Sequence, residues 1–309
     1  MHVLLSGSFA ETERDEWRQL LAAALPEATW HLAPAPEVEA AVVANPPPGA
    51  LQGLPRLRFI QSLWAGVDRL LADPTIPPEL PIARMVDPAM SAAMAETALW
   101  AVLSLHRGFF TYARQQREGV WHQLPQRRAD EVPVAVLGLG EMGRTVARRL
   151  AAQGYPVSGW RQTAGAGADD GIRTHVGLEA LPGLLGGSEI VVNLLPLTPA
   201  TRGLLDRRFF GALRPGAGVV NLARGAHVVD EDLLAALDSG QVGHAVLDVF
   251  HTEPLPPAHA CWHHPRVTLL PHAAALTDPR SAARLAAENL RAWFAGRPVA
   301  NRVERMRGY

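Results

Sequence analysis

The chain has 309 residues, 48% of them hydrophobic, enough to fill the core of one large or two ordinary domains. Its formal charge is -1 and its pI about 6.9, so the overall field points to neither nucleic acid nor an anionic membrane, and a small molecule is the expected partner. All 29 basic residues are arginine, which excludes a Schiff-base lysine and a P-loop lysine and otherwise reflects coding bias.

Met1-His2-Val3-Leu4-Leu5-Ser6-Gly7 lacks a basic stretch ahead of its short apolar run and reads as a first strand rather than a signal peptide. Strand Val3–Leu5 leads into a helix around Glu13–Leu25, Ala41–Ala44 into a proline-rich turn, and Arg58–Ser62 into a helix from Val67. This alternation predicts an α/β parallel sheet. From Ser91 to Glu118 the pattern is helical throughout, predicting one long helix between two domains. A second series follows, with strands at Val134–Leu137, Pro156–Gly159, Glu189–Leu195, Gly218–Asn221, Ala245–Val249 and Val267–Leu270. A last helix, Asp278–Ala295, has no strand of its own and is expected to return to the first domain. The domains expected are therefore 1–95 plus 275–309 for the substrate and 96–274 for a dinucleotide. No stretch approaches the ~20 apolar residues that span a bilayer, and the expected location is the cytoplasm. The single cysteine, Cys261, excludes an internal disulfide. Beside Trp262, His263 and His264 it reads as a solvated loop, because a zinc site needs further ligands at metal spacing.

Gly138-Leu139-Gly140-Glu141-Met142-Gly143 sits between a strand and a helical run, Arg144–Leu150, the context in which G-x-G-x-x-G binds a dinucleotide. Gly138, Gly140 and Gly143 allow a tight turn and close approach of backbone to pyrophosphate, while Glu141 and Met142 offer N–H groups at the helix start. NAD-specific folds carry Asp or Glu roughly 20 residues further on, at the end of the second strand. Here that place reads Gly159-Trp160-Arg161-Gln162-Thr163, and Asp169 and Asp170 lie too far along to substitute. Arg161, with Gln162 or Thr163, would suit a 2′-phosphate, so NADP(H) is the preferred cofactor and NAD(H) the alternative. A surface arginine on a solvated loop is the plainer reading of Arg161.

Three later segments, Asn221-Leu222-Ala223-Arg224-Gly225, Asp248-Val249-Phe250-His251-Thr252-Glu253-Pro254 and Pro271-His272-Ala273-Ala274, each follow a predicted strand. They supply in order a guanidinium, a carboxylate and an imidazole. Hydride addition to a ketone leaves negative charge on oxygen and needs a proton donor, which histidine provides. A carboxylate would orient the ring, and a guanidinium could grip a substrate carboxylate. Taken singly, Arg224 reads as a loop ion-pair partner, Glu253 as a turn residue and His272 as one of twelve histidines; the ordered set behind a nucleotide loop carries the argument. No metal is required by such chemistry.

With Leu63-Trp64-Ala65-Gly66-Val67-Asp68, Met94-Ala95-Glu96, Trp121-His122-Gln123-Leu124-Pro125, Leu195-Pro196-Leu197-Thr198 and the ending Arg307-Gly308-Tyr309, these segments resemble the D-isomer-specific 2-hydroxyacid dehydrogenases over nearly the whole length, and among them the glyoxylate/hydroxypyruvate reductase A type. The resemblance implies two Rossmann-like or flavodoxin-like parallel-sheet domains with a cleft between them, reduction of small 2-oxo acids, and a homodimer helped by the long helix. It implies Arg224 as substrate anchor, Glu253 as partner of the histidine and His272 as general acid. Trp64 and the backbone of Ala65 and Gly66 would meet the substrate carboxylate. Trp160, Leu195, Pro196, Ala223 and Asp248 would line the cofactor, with Asp248 near the nicotinamide carboxamide. Trp64, bulky where the family often has a small residue, either caps the pocket and favours short acids or packs between the domains. The rival readings are a reductase of a larger 2-oxo acid, an NAD-linked dehydrogenase running oxidatively, and a non-catalytic cofactor-sensing protein on the same scaffold.

Overall fold

The structure, a computed structural model, describes residues 1–163 and 171–305; Asp169, Asp170 and Arg307-Gly308-Tyr309 lie outside the described residues. Two compact units form, one from Met1–Met90 with the segment beginning at Thr277, the other from Ser91–Leu276.

The first unit holds β1 (His2–Gly7), α1 (Glu11–Ala24), β2 (Thr29–His31), β3 (Ala40–Ala44), β4 (Phe59–Ser62), α2 (Asp68–Ala72) and β5 (Ile82–Ala83). Its five strands are all parallel and run in the order β2-β1-β3-β4-β5, the flavodoxin-like arrangement. Every residue of β3 and β4 is buried, as strands covered on both faces require. The helix expected from Val67 is only the five residues of α2, closed by Asp73, whose carboxylate takes the Thr75 N–H and hydroxyl. β2 and β5 are missing from the sequence reading because two or three residues carry no period.

Last in the chain comes the helix Pro279–Phe294, which we number after the second unit's helices as α9. Asp278 caps it, accepting the Arg280 N–H at 2.9 Å, and Pro279 fills the first turn, where a missing N–H costs nothing. Ala282, Ala283, Ala286, Ala287 and Leu290 form its buried stripe. Three contacts fasten it to β4 and to the turn after α1: Trp293 stacks on Phe59 with centroids 4.9 Å apart, Asn289 Nδ2 donates to Gln61 Oε1 at 2.7 Å, and Arg291 pairs with Glu27 at 2.7 Å.

The second unit opens with α3 (Pro88–His106) and α4 (Phe109–Glu118), two helices where the sequence suggests one. The break is at Gly108, whose φ of +67° ends the first helix, and a Cβ there would lie 2.5 Å from Leu124 Cδ1. At 19 residues α3 is long and apolar enough to span a bilayer, contrary to the sequence expectation. Met94, Ala95, Ala98, Ala101 and Val102 along it belong to the second unit's core.

Seven parallel strands follow: β6 (Val134–Leu137), β7 (Val157–Arg161), β8 (Arg173–Val176), β9 (Ile190–Asn193), β10 (Ala217–Asn221), β11 (Val242–Leu247) and β12 (Val267–Leu269). The helices between them are α5 (Glu141–Ala152), α6 (Leu181–Gly187), α7 (Arg207–Ala212) and α8 (Asp230–Asp238). The order β12-β11-β10-β9-β6-β7-β8 reverses direction between β6 and β9, as in a dinucleotide-binding sheet. β8 escaped the sequence reading because Arg173-Thr174-His175-Val176 is a polar edge strand with no buried residue. Cys261 is not in a solvated loop: it is 3% exposed in a short turn packed on the core.

Candidate active site

At the β6–β9 reversal the chain leaves β6 through Gly138, with φ of +93°. A Cβ there would lie 2.7 Å from the Leu194 carbonyl oxygen, and a Cβ at Gly143 only 1.7 Å from the Gly138 carbonyl oxygen, so the turn and the α5 packing both demand glycine. Gly140 differs, since nothing lies within 4 Å of its Cβ position. It is the N-cap of α5, and no side chain caps the helix there. Open space at Gly140, in front of the N–H groups of Glu141 and Met142, is what a pyrophosphate needs.

β7 ends at Arg161, followed by exposed Gln162 and Thr163, with no carboxylate among these three. The set fits a 2′-phosphate. Trp160 does not join it: the indole is fully buried and its N–H donates to the Gly177 carbonyl at 2.8 Å, leaving only backbone to face a cofactor. Strand alternation explains this, because Trp160 points to the opposite face from Arg161. Beyond β9, Leu195 is buried and Pro196 half-buried; beyond β10, Ala223 is buried and Arg224 half-buried.

Arg224 turns its guanidinium over its own loop, Nη1 donating to the Ala223 carbonyl at 2.8 Å. Next to it, a Cβ at Gly225 would stand 2.0 Å from the Phe250 carbonyl carbon. The Arg224 loop therefore lies directly on the loop that carries Glu253. His272 Nδ1 is 2.7 Å from Glu253 Oε2, and since a carboxylate only accepts, Nδ1 carries the proton and Nε2 is turned outward. Glu253 is itself held by the Phe250 N–H on Oε1 at 2.9 Å. The imidazole side chain is 51% exposed, accessible to a substrate.

His272 takes a left-handed backbone, φ of +53°, uncommon for a non-glycine residue. Its N–H donates to the Asp248 carbonyl at 2.9 Å. The Asp248 carboxylate then takes the next two N–H groups, Ala273 at 2.7 Å and Ala274 at 3.1 Å, both on Oδ1. Burial pushes its carboxyl above the ordinary range, opposed by those N–H groups and by His272. In the structure, then, Asp248 is first of all the clamp on the His272 bend.

In the first unit, Trp64 meets Trp17 edge-on with centroids 6.3 Å apart, so part of its bulk is used within its own unit. Ser62 Oγ both accepts the Trp64 N–H and donates to the Trp64 carbonyl, each at 3.0 Å, which fixes the backbone leading into Ala65 and Gly66. Elsewhere in this unit His2, His31 and Glu37 approach as potential ligands, and a hydrogen bond between His2 Nδ1 and His31 Nε2 at 3.0 Å accounts for the contact.

Two residues with no role in the sequence reading belong to the site: Asn193 and Asn221, fully buried at the ends of β9 and β10. Their signal was present, an asparagine closing each of two apolar runs, Ile190-Val191-Val192-Asn193 and Gly218-Val219-Val220-Asn221.

An open dinucleotide loop at a sheet's reversal point, with a carboxylate-paired histidine and an arginine on neighbouring strand ends, defines a nicotinamide-dependent oxidoreductase site. Residues 99–274 match the model of the D-isomer specific 2-hydroxyacid dehydrogenase, NAD binding domain, and the chain belongs to the D-isomer-specific 2-hydroxyacid dehydrogenase family. Within that family it resembles glyoxylate/hydroxypyruvate reductase A: it is 38% identical to the Serratia proteamaculans protein of that name over 317 residues, covering 100% of each chain. A D-isomer specific 2-hydroxyacid dehydrogenase from Xanthobacter autotrophicus, solved with NADPH and MES, is 42% identical, with a TM-score of 0.93 and 99% of each chain covered. The NADPH-dependent glyoxylate/hydroxypyruvate reductase of Sinorhizobium meliloti, solved with NADP and sulfate, is 31% identical, with a TM-score of 0.90, covering 100% of this chain and 99% of that one.

Proposed function

We propose that the protein reduces small 2-oxo acids, glyoxylate and hydroxypyruvate among them, to 2-hydroxy acids with NADPH as the preferred cofactor and NADH as a possible one. The observation that carries this reading is the 2.7 Å pairing of His272 with Glu253, in a unit that also presents an open dinucleotide loop. Similarity to the two reductases named above supports the choice of substrate, and similarity to the dehydrogenase solved with NADPH and the reductase solved with NADP supports the choice of cofactor.

In this mechanism Gly140 leaves room for the pyrophosphate, the N–H groups of Glu141 and Met142 bind it, and Arg161 with Gln162 or Thr163 takes the 2′-phosphate. Bound NADPH supplies the hydride. Arg224 grips the carboxylate of the 2-oxo acid and polarises its carbonyl. His272 delivers the proton from Nε2 to the carbonyl oxygen, so that hydride on carbon and proton on oxygen together make the alcohol. Glu253 keeps Nδ1 protonated and stabilises the imidazolium before transfer. The product is a D-2-hydroxy acid, or achiral glycolate from glyoxylate. We also infer a homodimer, supported by the exposed aromatics Trp100, Phe109 and Trp121 on and just after α3 and α4.

The direct test mixes protein with NADPH or NADH and then glyoxylate or hydroxypyruvate, following nicotinamide absorbance. Turnover faster with NADPH is expected; tight NADPH binding without turnover of either acid overturns the reading.

A further inference from the structure

Asn193, Asn221 and His227 are each 0% exposed and form one polar unit beneath the ends of β9 and β10. Asn193 is its hub: Nδ2 donates to Asn221 Oδ1 at 3.0 Å and to His227 Nδ1 at 3.1 Å, while Oδ1 accepts the Leu195 N–H at 3.2 Å. Asn221 reaches onward to the substrate arginine. Its Oδ1 also accepts the Ala223 N–H at 3.3 Å, and its Nδ2 donates to the Arg224 carbonyl at 3.0 Å.

The proton positions follow from the partners. Turning the Asn193 amide over would set its NH2 against the Leu195 N–H and its oxygen against Asn221 Oδ1, so the amide has one orientation. His227 Nδ1 is therefore an acceptor, and Nε2 carries the proton toward the Pro196 carbonyl at 3.3 Å. The backbone N–H of His227 also reaches the Arg224 carbonyl, at 3.3 Å.

We propose that His227 is a positioning residue for the reaction: through Asn193 and Asn221 it fixes the Ala223–Arg224 peptide, and with it the guanidinium that takes the substrate carboxylate. This rests on the reading of Arg224 given above. The Pro196 carbonyl also accepts the Thr201 hydroxyl at 2.7 Å, so an apolar group of similar size in place of the imidazole leaves one buried group without this partner, the second N–H of the Asn193 amide. The Leu195 N–H and Asn221 Oδ1 set which way the Asn193 amide faces; the imidazole adds the third bond that holds it, and through it Asn221, in place.

The test compares the parent with His227→Leu, which fills the space and loses the bonds to Asn193 and to the Pro196 carbonyl, and His227→Asn, which keeps an acceptor toward Asn193. Four quantities are read: NADPH Kd by fluorescence, Kd of oxalate for the NADPH complex, kcat and KM for glyoxylate, and Tm. For His227→Leu the expectation is an oxalate Kd and a glyoxylate KM raised about tenfold, with NADPH Kd within a factor of about two. His227→Asn should recover most of the loss. Parental oxalate Kd and KM in His227→Leu overturn the proposal. So does loss of NADPH and oxalate binding in step with Tm and without recovery in His227→Asn, which is a structural role only. A parent that binds oxalate yet turns over neither glyoxylate nor hydroxypyruvate overturns the proposed reaction, and the positioning proposal is then judged on the oxalate Kd values. A parent that binds no oxalate overturns both.

Discussion

His272 owes its reach to two neighbours, Glu253 and Asp248: Glu253 fixes the ring, while the Asp248 carbonyl and carboxylate hold the left-handed bend behind it. Replacing it with alanine is expected to lower kcat about 10²–10⁴-fold while NADPH Kd stays near the parent value; near-normal turnover would remove it from the role of acid. Arg161→Ser should weaken NADPH about tenfold and leave NADH nearly unchanged, since only one of the two carries the phosphate; equal losses with both cofactors would make Arg161 a structural residue. Cys261 offers a different readout. Burial, and then the nearby Asp230 carboxylate, push its thiol up to about 11 from 9.0. A folded-state value above the unfolded one stabilises the fold below pH 9 and loses that contribution as pH rises through 11, so alkylation at pH 8 should be slow until urea unfolds the chain. Rapid labelling of the folded protein would contradict its burial. The candidate residues were legible at this scale, because Arg224, Glu253 and His272 stand in order in the sequence, and the His272–Glu253 pairing is what the structure adds. Their supports were not, because Asn193, Asn221 and the clamp at Asp248 work through backbone groups that no residue pattern announces.

Among the elements, α4 has the most conditional hold. Phe110 lies flat on His244 of β11, centroids 4.4 Å apart and planes 4° off parallel. Burial, followed by the positive charge of Arg114 and of His264, pulls His244 down to about 4 from 6.5. The sign is set by a folded-state value below the unfolded one: the stability is complete above pH 6.5 and is lost as pH falls through 4, at up to about 1.4 kcal/mol per pH unit. Urea midpoints measured across that window should fall for the parent and flatten for His244→Gln; equal slopes would place the acid sensitivity elsewhere. The strongly periodic helices and the fully apolar strands were readable from the sequence, since burial on both faces leaves an unbroken apolar run. The break between α3 and α4 was not, because Arg107-Gly108 interrupts neither the apolar spacing nor the helix-forming residues around it, and only the positive φ of Gly108 reveals it.

For the whole molecule, the two sheets carry different strand orders on one alternating plan, and the sequence conveys the plan but not the orders. Connection order cannot be read from residue spacing; it follows from which strand each helix returns to. Light scattering should give twice the 33.3 kDa chain mass, and Trp121→Glu, at a residue 102% exposed, should shift the population toward monomer if that surface meets a second copy. An unchanged dimer would move the interface elsewhere. The last helix has a consequence for how the protein is made. Gln61, Phe59 and Glu27 emerge from the ribosome more than two hundred residues before Asn289, Trp293 and Arg291, their partners on α9. The unit synthesised first must therefore wait, with Phe59 and Gln61 of β4 lacking their partners, while the continuous Ser91–Leu276 unit has every residue it needs and can close ahead of it. Synthesis order and folding order are thus reversed, and chaperone demand during translation should fall on the N-terminal half.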